Sequence, residues 1–279
     1  MQVMSMKLTI ITINFNNKEG LVKTFESVKS QTWSDFEYIV IDGGSTDGSK
    51  EIIENNSQVN YWISEKDSGV YNAMNKGIRK ASGDYIIFMN SGDFFYDAQV
   101  LEKVQQELSS DVGILYGNSI YFNDEGYRRE EVPPEKLTFS FFYYGGINHQ
   151  AAFIKRKLFD EYFYYREDYK ICADWEFFIV LICLHNVSYK HLEQTICYYD
   201  YSGISAKPEN LALYHAEREI TLNRYFGAFL EDLALSHEAR ARRIQHVLHI
   251  KKFPAAWRIL KWMISLVLLF VPKFKMKKD

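Results

Sequence analysis

Within the first 93 residues, four short apolar runs alternate with stretches whose apolar residues recur at helical spacing. The runs are KLTIITINF (7–15), EYIVID (37–42), NYWIS (60–64) and DYIIFM (84–89). Their apolar residues follow one another without polar alternation, as in strands covered on both faces. Between them, Leu21, Phe25 and Val28, then Ile52 and Ile53, then Tyr71, Met74 and Ile78 each mark one helix face. Strands alternating with helices over so short a span form a parallel sheet with crossover helices. Right-handed crossovers leave every strand's carboxyl end on the same side. Phe15, Asp42, Asp67 and Asp93 are therefore expected to converge.

The four strand ends carry different chemistry. The first ends in an aromatic residue followed by Asn16 and Asn17, the second in Asp42 and the glycine-rich GGSTDG. The third enters the acid-lysine-acid loop Glu65 to Gly69, and the fourth ends in Asn90, Ser91, Gly92 and Asp93. An aromatic ring stacks on a base, a glycine turn admits close backbone approach, and carboxylates hold ribose hydroxyls or a divalent cation beside a diphosphate. The pattern reads as a nucleotide site. NFNNKEG after the first strand lacks the GxGxxG spacing of dinucleotide-binding folds, which argues against hydride transfer. Taken alone, Asp93 has a second reading as the cap of a following helix.

Lys plus Arg number 33 and Asp plus Glu 36, so no basic field invites nucleic acid, which is not an expected partner. The three cysteines, Cys172, Cys183 and Cys197, show no CxxC or metal-ligand spacing and read as reduced core residues of a cytosolic protein. The chain enters a strand within a few residues of its start, and no secretory signal is read there.

The segments TIITINFNN, SVKSQTWSDFEYIVIDGGSTDGS, EKDSGVYNAMNKGIRKASGDYIIFMNSGD and, later, ADWEFF together resemble family 2 glycosyltransferases. The resemblance implies a GT-A α/β fold and an inverting, Mg²⁺- or Mn²⁺-dependent transfer of sugar from a nucleotide diphosphate, commonly UDP, to an acceptor hydroxyl. It places Phe15 at the base and Asp42, Asp67, Gly69 and Asn75 at the nucleotide. It makes Asp93 the metal ligand. Gly43 stands where relatives carry a second acid that can bond the base, and Asn90 and Gly92 replace acids often found before Asp93. Two alternatives remain open at this point. The depleted acid motif suits a catalytically silent, membrane-bound scaffold of the same fold; a sugar-1-phosphate nucleotidyltransferase would need a basic, glycine-rich loop that NFNNKEG does not provide.

Asp174 in ICADWEFFIVLICLH shares a helix face with Phe178 and Leu181, whereas Glu176 points about 200° away at 100° per residue. The resemblance puts the general base at Asp174; the other reading is a helix N-cap. Asn90, Ser91, Gly145, Gly146, His149, Gln150 and Trp175 are the candidates for the acceptor pocket, FSFFYYGGINH (139–149) supplying an aromatic and then glycine-rich wall.

Elsewhere, Val100, Val104 and Leu108 mark a helix. Gly113 to Phe122 pairs as a hairpin with Tyr127 to Val132, and Thr195 to Tyr201 forms a further strand before a helical region opened by Pro208. The apolar stretch Ala255 to Val271 is broken by Arg258 and Lys261, is flanked by Trp257 and Trp262, and is followed by Lys273, Lys275, Lys277 and Lys278. Its longest unbroken run falls well short of the ~20 residues that span a bilayer, so it reads as an interfacial anchor. The expected organisation is a GT-A domain over 1–205, a helical extension over 206–252 and a membrane-associating helix and tail over 253–279. The expected partners are a nucleotide-diphospho-sugar donor, a lipid-linked or oligosaccharide acceptor and the cytoplasmic face of a membrane.

Overall fold

A computed structural model describes residues 7–203, 207–240 and 242–270. The elements anticipated in the first 90 residues are present: β1 (Leu8–Asn14), α1 (Lys18–Lys29), β2 (Phe36–Asp42), α2 (Ser49–Glu54), β3 (Tyr61–Ser64), α3 (Val70–Lys80) and β4 (Tyr85–Phe88). β1 pairs in parallel with β2 and β4, and β2 in parallel with β3. Every residue of β4 is buried, as its unbroken apolar run requires. Helix α1 starts at Asn17, whose Oδ1 accepts the Gly20 N–H at 3.1 Å, and it buries Leu21, Phe25 and Val28 against the sheet.

Beyond β4 come β5 (Phe94–Phe95), α4 (Val100–Gln105), β6 (Ile114–Phe122), β7 (Arg128–Glu131), α5 (Phe139–Tyr144), β8 (Ala152–Lys155), α6 (Lys157–Glu161), α7 (Ala173–Cys183) and β9 (Tyr189–Asp200). They extend the sheet in the order β3-β2-β1-β4-β8-β6-β9-β5, with β7 paired to β6. β8 runs antiparallel to both β4 and β6, whereas β9 runs parallel to β6. The mixed α/β architecture with a parallel core sheet is the GT-A fold class expected from the sequence.

β9 begins six residues earlier than the Thr195 anticipated from the sequence. Its register on β6 shifts between Tyr116 and Asn118, where His191 and Thr195 are the partners. That bulge absorbs Glu193 and Gln194, polar residues that break the strand pattern in sequence.

The chain divides into two compact units, Met1–Glu219 and Ile220–Asp279. Helix α8 (Leu211–Arg240) begins in the first and continues through the second, which also contains α9 (Arg242–Ile250) and α10 (Pro254–Val267). Pro254 sits in the first turn of α10, where its missing N–H costs nothing. Ile259, Trp262, Val267, Leu269 and Phe270 are exposed. Among the described residues no helix is long and apolar enough to cross a membrane. Lys273, Lys275, Lys277 and Lys278, read from the sequence as a basic tail, lie outside the described residues.

Candidate active site

The four parallel strand ends are bonded into one piece. Ser91 Oγ donates to Asn14 Oδ1 at 2.5 Å, Asn14 Nδ2 to Asp42 Oδ1 at 2.7 Å, and Ser64 Oγ to Asp42 Oδ2 at 2.6 Å. Asp42 also accepts from the Gly44 and Ser45 N–H groups and from Ser45 Oγ. Burial pushes its carboxyl up, but the Ser45, Ser64 and Asn14 hydrogen bonds outweigh this and hold it below the usual carboxylate range. Asp42, placed at the nucleotide by resemblance, is thus fully buried and braces the glycine turn from beneath.

Above that brace, Phe15 is 64 % exposed. A Cβ at Gly43 would stand 2.6 Å from Asp67 Oδ2 and 3.1 Å from the Phe15 ring. The Asp67 carboxylate therefore fills the space that a side chain at position 43 would take. Asp67 Oδ1 accepts the Gly69 N–H at 3.0 Å, setting the turn into α3. Asn75 is buried, its Nδ2 donates to Tyr165 O and Glu167 Oε1, and its Oδ1 accepts the Tyr165 N–H, so it ties α3 to the 165–167 loop.

The Asn90 to Asp93 turn is held from α1. Thr24 Oγ1 lies 2.7 Å from the Asp93 carbonyl and accepts the Gly92 N–H at 3.1 Å. Gly92 has φ +105°, and a Cβ there would sit 3.0 Å from Asp200 Oδ2; glycine is required on both counts. Asp93 leads into β5, so the helix-cap reading falls away. Its Oδ1 accepts the Asp200 N–H at 2.8 Å and its Oδ2 the Gln150 amide at 3.0 Å. Burial pushes the Asp93 carboxyl up to about 7 in spite of those bonds, with the nearby Asp200 charge adding to the rise.

Among the described residues no three His, Cys, Asp or Glu side chains converge on a metal position. What does fit a divalent cation is a smaller set, the Asp93 and Asp200 carboxylates with the buried Gln150 Oε1, which has no hydrogen-bond partner among the described residues. Mg²⁺ commonly takes one or two carboxylates and completes its shell with substrate phosphate and water, and this set matches that mode.

Asp174 occupies the second position of α7, which starts from Cys172, so it is not the N-cap. Its Oδ1 accepts the Tyr71 hydroxyl at 2.8 Å and its Oδ2 lies 2.7 Å from His149 Nδ1. Burial raises the Asp174 carboxyl, but the hydrogen bond and charge of His149, with the Tyr71 hydroxyl, more than offset it and hold the group below its ordinary value. His149 Nε2 lies 3.2 Å from Asn90 Nδ2, which links the Asp174 site to the Asp93 turn. α7 is apolar on all sides and Glu176 is fully buried, contrary to the outward direction that helical periodicity implies. A helix without a polar face offers periodicity no contrast to read.

The segment that enters α7 is held from far along the chain. Glu217 on α8 accepts the N–H groups of Lys170, Ile171 and Cys172 at 2.7 to 3.0 Å. Arg218 lies 4.2 Å over the Trp175 ring and donates to the Phe142 and Tyr143 carbonyls, and Trp175 Nε1 also donates to Phe142 O. Trp175 thus anchors the end of α5, the segment that presents Gly145 and Gly146.

A cavity of about 1020 Å³ gathers these groups. Phe15, Asn90, Ser91 and Asp93 line it from the strand ends; Gly145, Gly146, His149, Gln150, Asp174 and Trp175 line it from the later segments. Asp42, Asp67, Gly69 and Asn75 are not on its wall. Sequence reading missed Tyr71, placed there on the core face of a helix, and Asp200, Glu217 and Arg218. Asp200 did carry a signal, an acid at a strand end before the polar Ser202-Gly203 turn.

The family model described as "Glycosyl transferase family 2" matches residues 9–169. An uncharacterized glycosyltransferase of Mycobacterium tuberculosis is 32 % identical over 248 residues, covering 86 % of this chain and 88 % of the relative. A PGL/p-HBAD biosynthesis glycosyltransferase of Mycobacterium bovis is 30 % identical over 175 residues, covering 61 % and 67 %. Among solved structures, S. aureus TarS 1–349 in complex with UDP superposes with TM-score 0.57 at 19 % identity, over 70 % of this chain and 60 % of that one. This chain therefore spans less than two thirds of that structure. The mannosyltransferase PcManGT from Pyrobaculum calidifontis, in complex with GDP-Man and Mn²⁺, gives TM-score 0.56 at 15 % identity, over 94 % and 80 %.

Proposed function

This chain belongs to glycosyl transferase family 2, and on that premise we propose that it moves a hexose or acetamidohexose from UDP to a hydroxyl of a lipid-linked glycan, with inversion at the anomeric carbon. The observation that carries the reading is that Asp93 and Asp174 line one cavity with the exposed ring of Phe15. Solved structures of like fold holding UDP, UDP-GlcNAc, or GDP-Man with Mn²⁺ support a nucleotide-sugar donor and a divalent cation.

Asp174 is the general base. Tyr71, His149 and the Trp175 N–H take three of the four lone pairs of the Asp174 carboxylate, which leaves one for the acceptor hydroxyl. The hydroxyl oxygen attacks the anomeric carbon, its proton passes to Asp174, and the bond to the diphosphate breaks with its electron pair on the leaving oxygen. A divalent cation held by Asp93 and Asp200 would offset the charge on that diphosphate. Phe15 stacks on the base, and the Asp67 carboxylate stands beside Gly43, in the place a residue 43 side chain would occupy.

The acceptor side rests on two supports. One relative is named for PGL/p-HBAD biosynthesis, and α10 exposes Ile259, Trp262 and Val267. These apolar and aromatic side chains suit a helix lying at the cytoplasmic face of a membrane, where a lipid-linked acceptor would be met.

Calorimetric titration with UDP and GDP, each with and without Mn²⁺, tests the donor half of the proposal. Metal-dependent binding of UDP is expected. Binding of neither nucleotide under any condition would sink the transferase reading and favour a silent scaffold.

A further inference from the structure

Where β6, β7 and β9 meet beside the cavity, four tyrosine rings touch in a row. Tyr121 and Tyr199 are 4.9 Å apart between centroids, Tyr121 and Tyr201 5.6 Å, and Tyr201 stacks on Tyr127 at 5.4 Å with 28° between planes. Tyr121, Tyr199 and Tyr201 line the same cavity as Asp93 and Asp174. Tyr201 and Tyr127 keep 39 % and 38 % of their surface exposed, so they are not core residues whose packing accounts for them. The ledge is fixed: the Tyr201 N–H donates to Phe122 O at 2.7 Å, and Asp200 before it holds Asp93. Arg129 sits 5.3 Å over the Tyr121 ring and is ion-paired to Glu131 at 2.7 Å, which puts charged hydrogen-bonding groups at the rim of the aromatic surface.

We infer that this ledge is a saccharide subsite of the acceptor, on which a pyranose next to the attacking hydroxyl lays its C–H face. An aromatic face bordered by a few fixed polar groups suits a ring that is apolar on its faces and hydroxylated around its edge. The diphosphate and nucleotide carry charge and a planar base, and the Phe15 end of the cavity matches them. Among the described residues, the one cation over these rings is Arg129, which is paired to Glu131. The cavity, at about 1020 Å³, is at the upper end of the size usual for one small ligand, leaving room for a second occupant. This inference rests on the transferase reading above and adds to it where the acceptor lies.

Saturation-transfer NMR on the full chain with UDP and Mn²⁺ present, probed with methyl glycosides of glucose, galactose and N-acetylglucosamine, tests the subsite. At least one glycoside is expected to take saturation on its ring C–H protons. Tyr201→Ala should weaken that signal about fivefold, the scale of one lost aromatic contact, and Tyr201→Phe should retain it. The UDP signal, unchanged in both variants, reports that they remain folded; Tyr127→Ala serves as the second probe should Tyr201→Ala lose it. Equal glycoside signal in wild type and the Ala variants, or no glycoside signal while UDP binds, overturns the subsite. Absence of UDP binding in the wild type instead overturns the UDP-donor reading on which it stands.

Discussion

His149 Nδ1 lies 2.7 Å from Asp174 Oδ2, while the other carboxylate oxygen takes the Tyr71 hydroxyl at 2.8 Å. The buried carboxylate is thereby fixed in orientation by two donors from distant segments. Its charge is retained because these donors outweigh its burial.

Removing the proposed base without removing its shape is the sharpest test of that site. Asp174→Asn is expected to lower kcat by about 10²-fold or more while UDP affinity measured by calorimetry stays at the wild-type value. A variant that turns over normally would exclude Asp174 as the base.

His149→Ala removes the largest of the interactions that oppose burial at Asp174, so the carboxyl rises. Because the wild-type group stays ionised below its ordinary value, its activity persists into mildly acidic solution. In the variant the acid limb of the kcat profile should move to higher pH. An acid limb in the same place would show that His149 does not govern this carboxylate.

Asp93 behaves in the opposite sense. With its carboxyl at about 7 when folded and in the ordinary carboxylate range when unfolded, the folded chain holds a proton between those values that the unfolded chain has released. Stability from this group therefore falls as pH rises through that window. Mn²⁺ competes with the same proton, so it should raise Tm more at pH 8 than at pH 6. Asp93→Asn should erase the difference in paired melting curves.

At the base end, Gly43→Ala places a Cβ where Asp67 Oδ2 now stands, 2.6 Å away. We expect a loss of about 1 to 2 kcal/mol in UDP binding, the usual scale of overpacking. In an Asp67→Ala background the same change should cost much less. Additive losses in this double-mutant cycle would refute the steric coupling.

Glu217→Ala strips three backbone N–H groups of a buried carboxylate partner and is expected to cost about 3 kcal/mol in urea denaturation. Glu217→Gln, which keeps one acceptor oxygen, should lose less. Equal stability of both variants and the wild type would mean that water replaces the cap.

The parallel half of the fold was legible because its information is local. Apolar runs mark β1 to β4, and glycine and acid turns mark their ends, so the convergence of Phe15 and Asp93 on one cavity could be read before any coordinates. The active-site detail was not local. Tyr71 meets Asp174 across 103 positions and Asp93 meets Asp200 across 107, and no periodicity reports such pairings. The bonds of Asn75 to Tyr165 and Glu167 were not legible either, because a polar residue near a nucleotide motif looks the same in sequence whether it faces ligand or ties down a loop. Glu176 misled because α7 has no solvent face.

The Glu217 cap also sets an order of events during synthesis. The N–H groups it receives belong to residues as much as 47 positions upstream, so α7 leaves the ribosome well before its cap exists. At bacterial-like elongation rates that delay is about 2 to 9 seconds, long compared with the microseconds in which a helix forms. The three N–H groups ahead of the helix that carries Asp174 therefore wait for their acceptor until α8 is made. A nascent chain stalled before α8 would lack the carboxylate that receives the Lys170, Ile171 and Cys172 N–H groups.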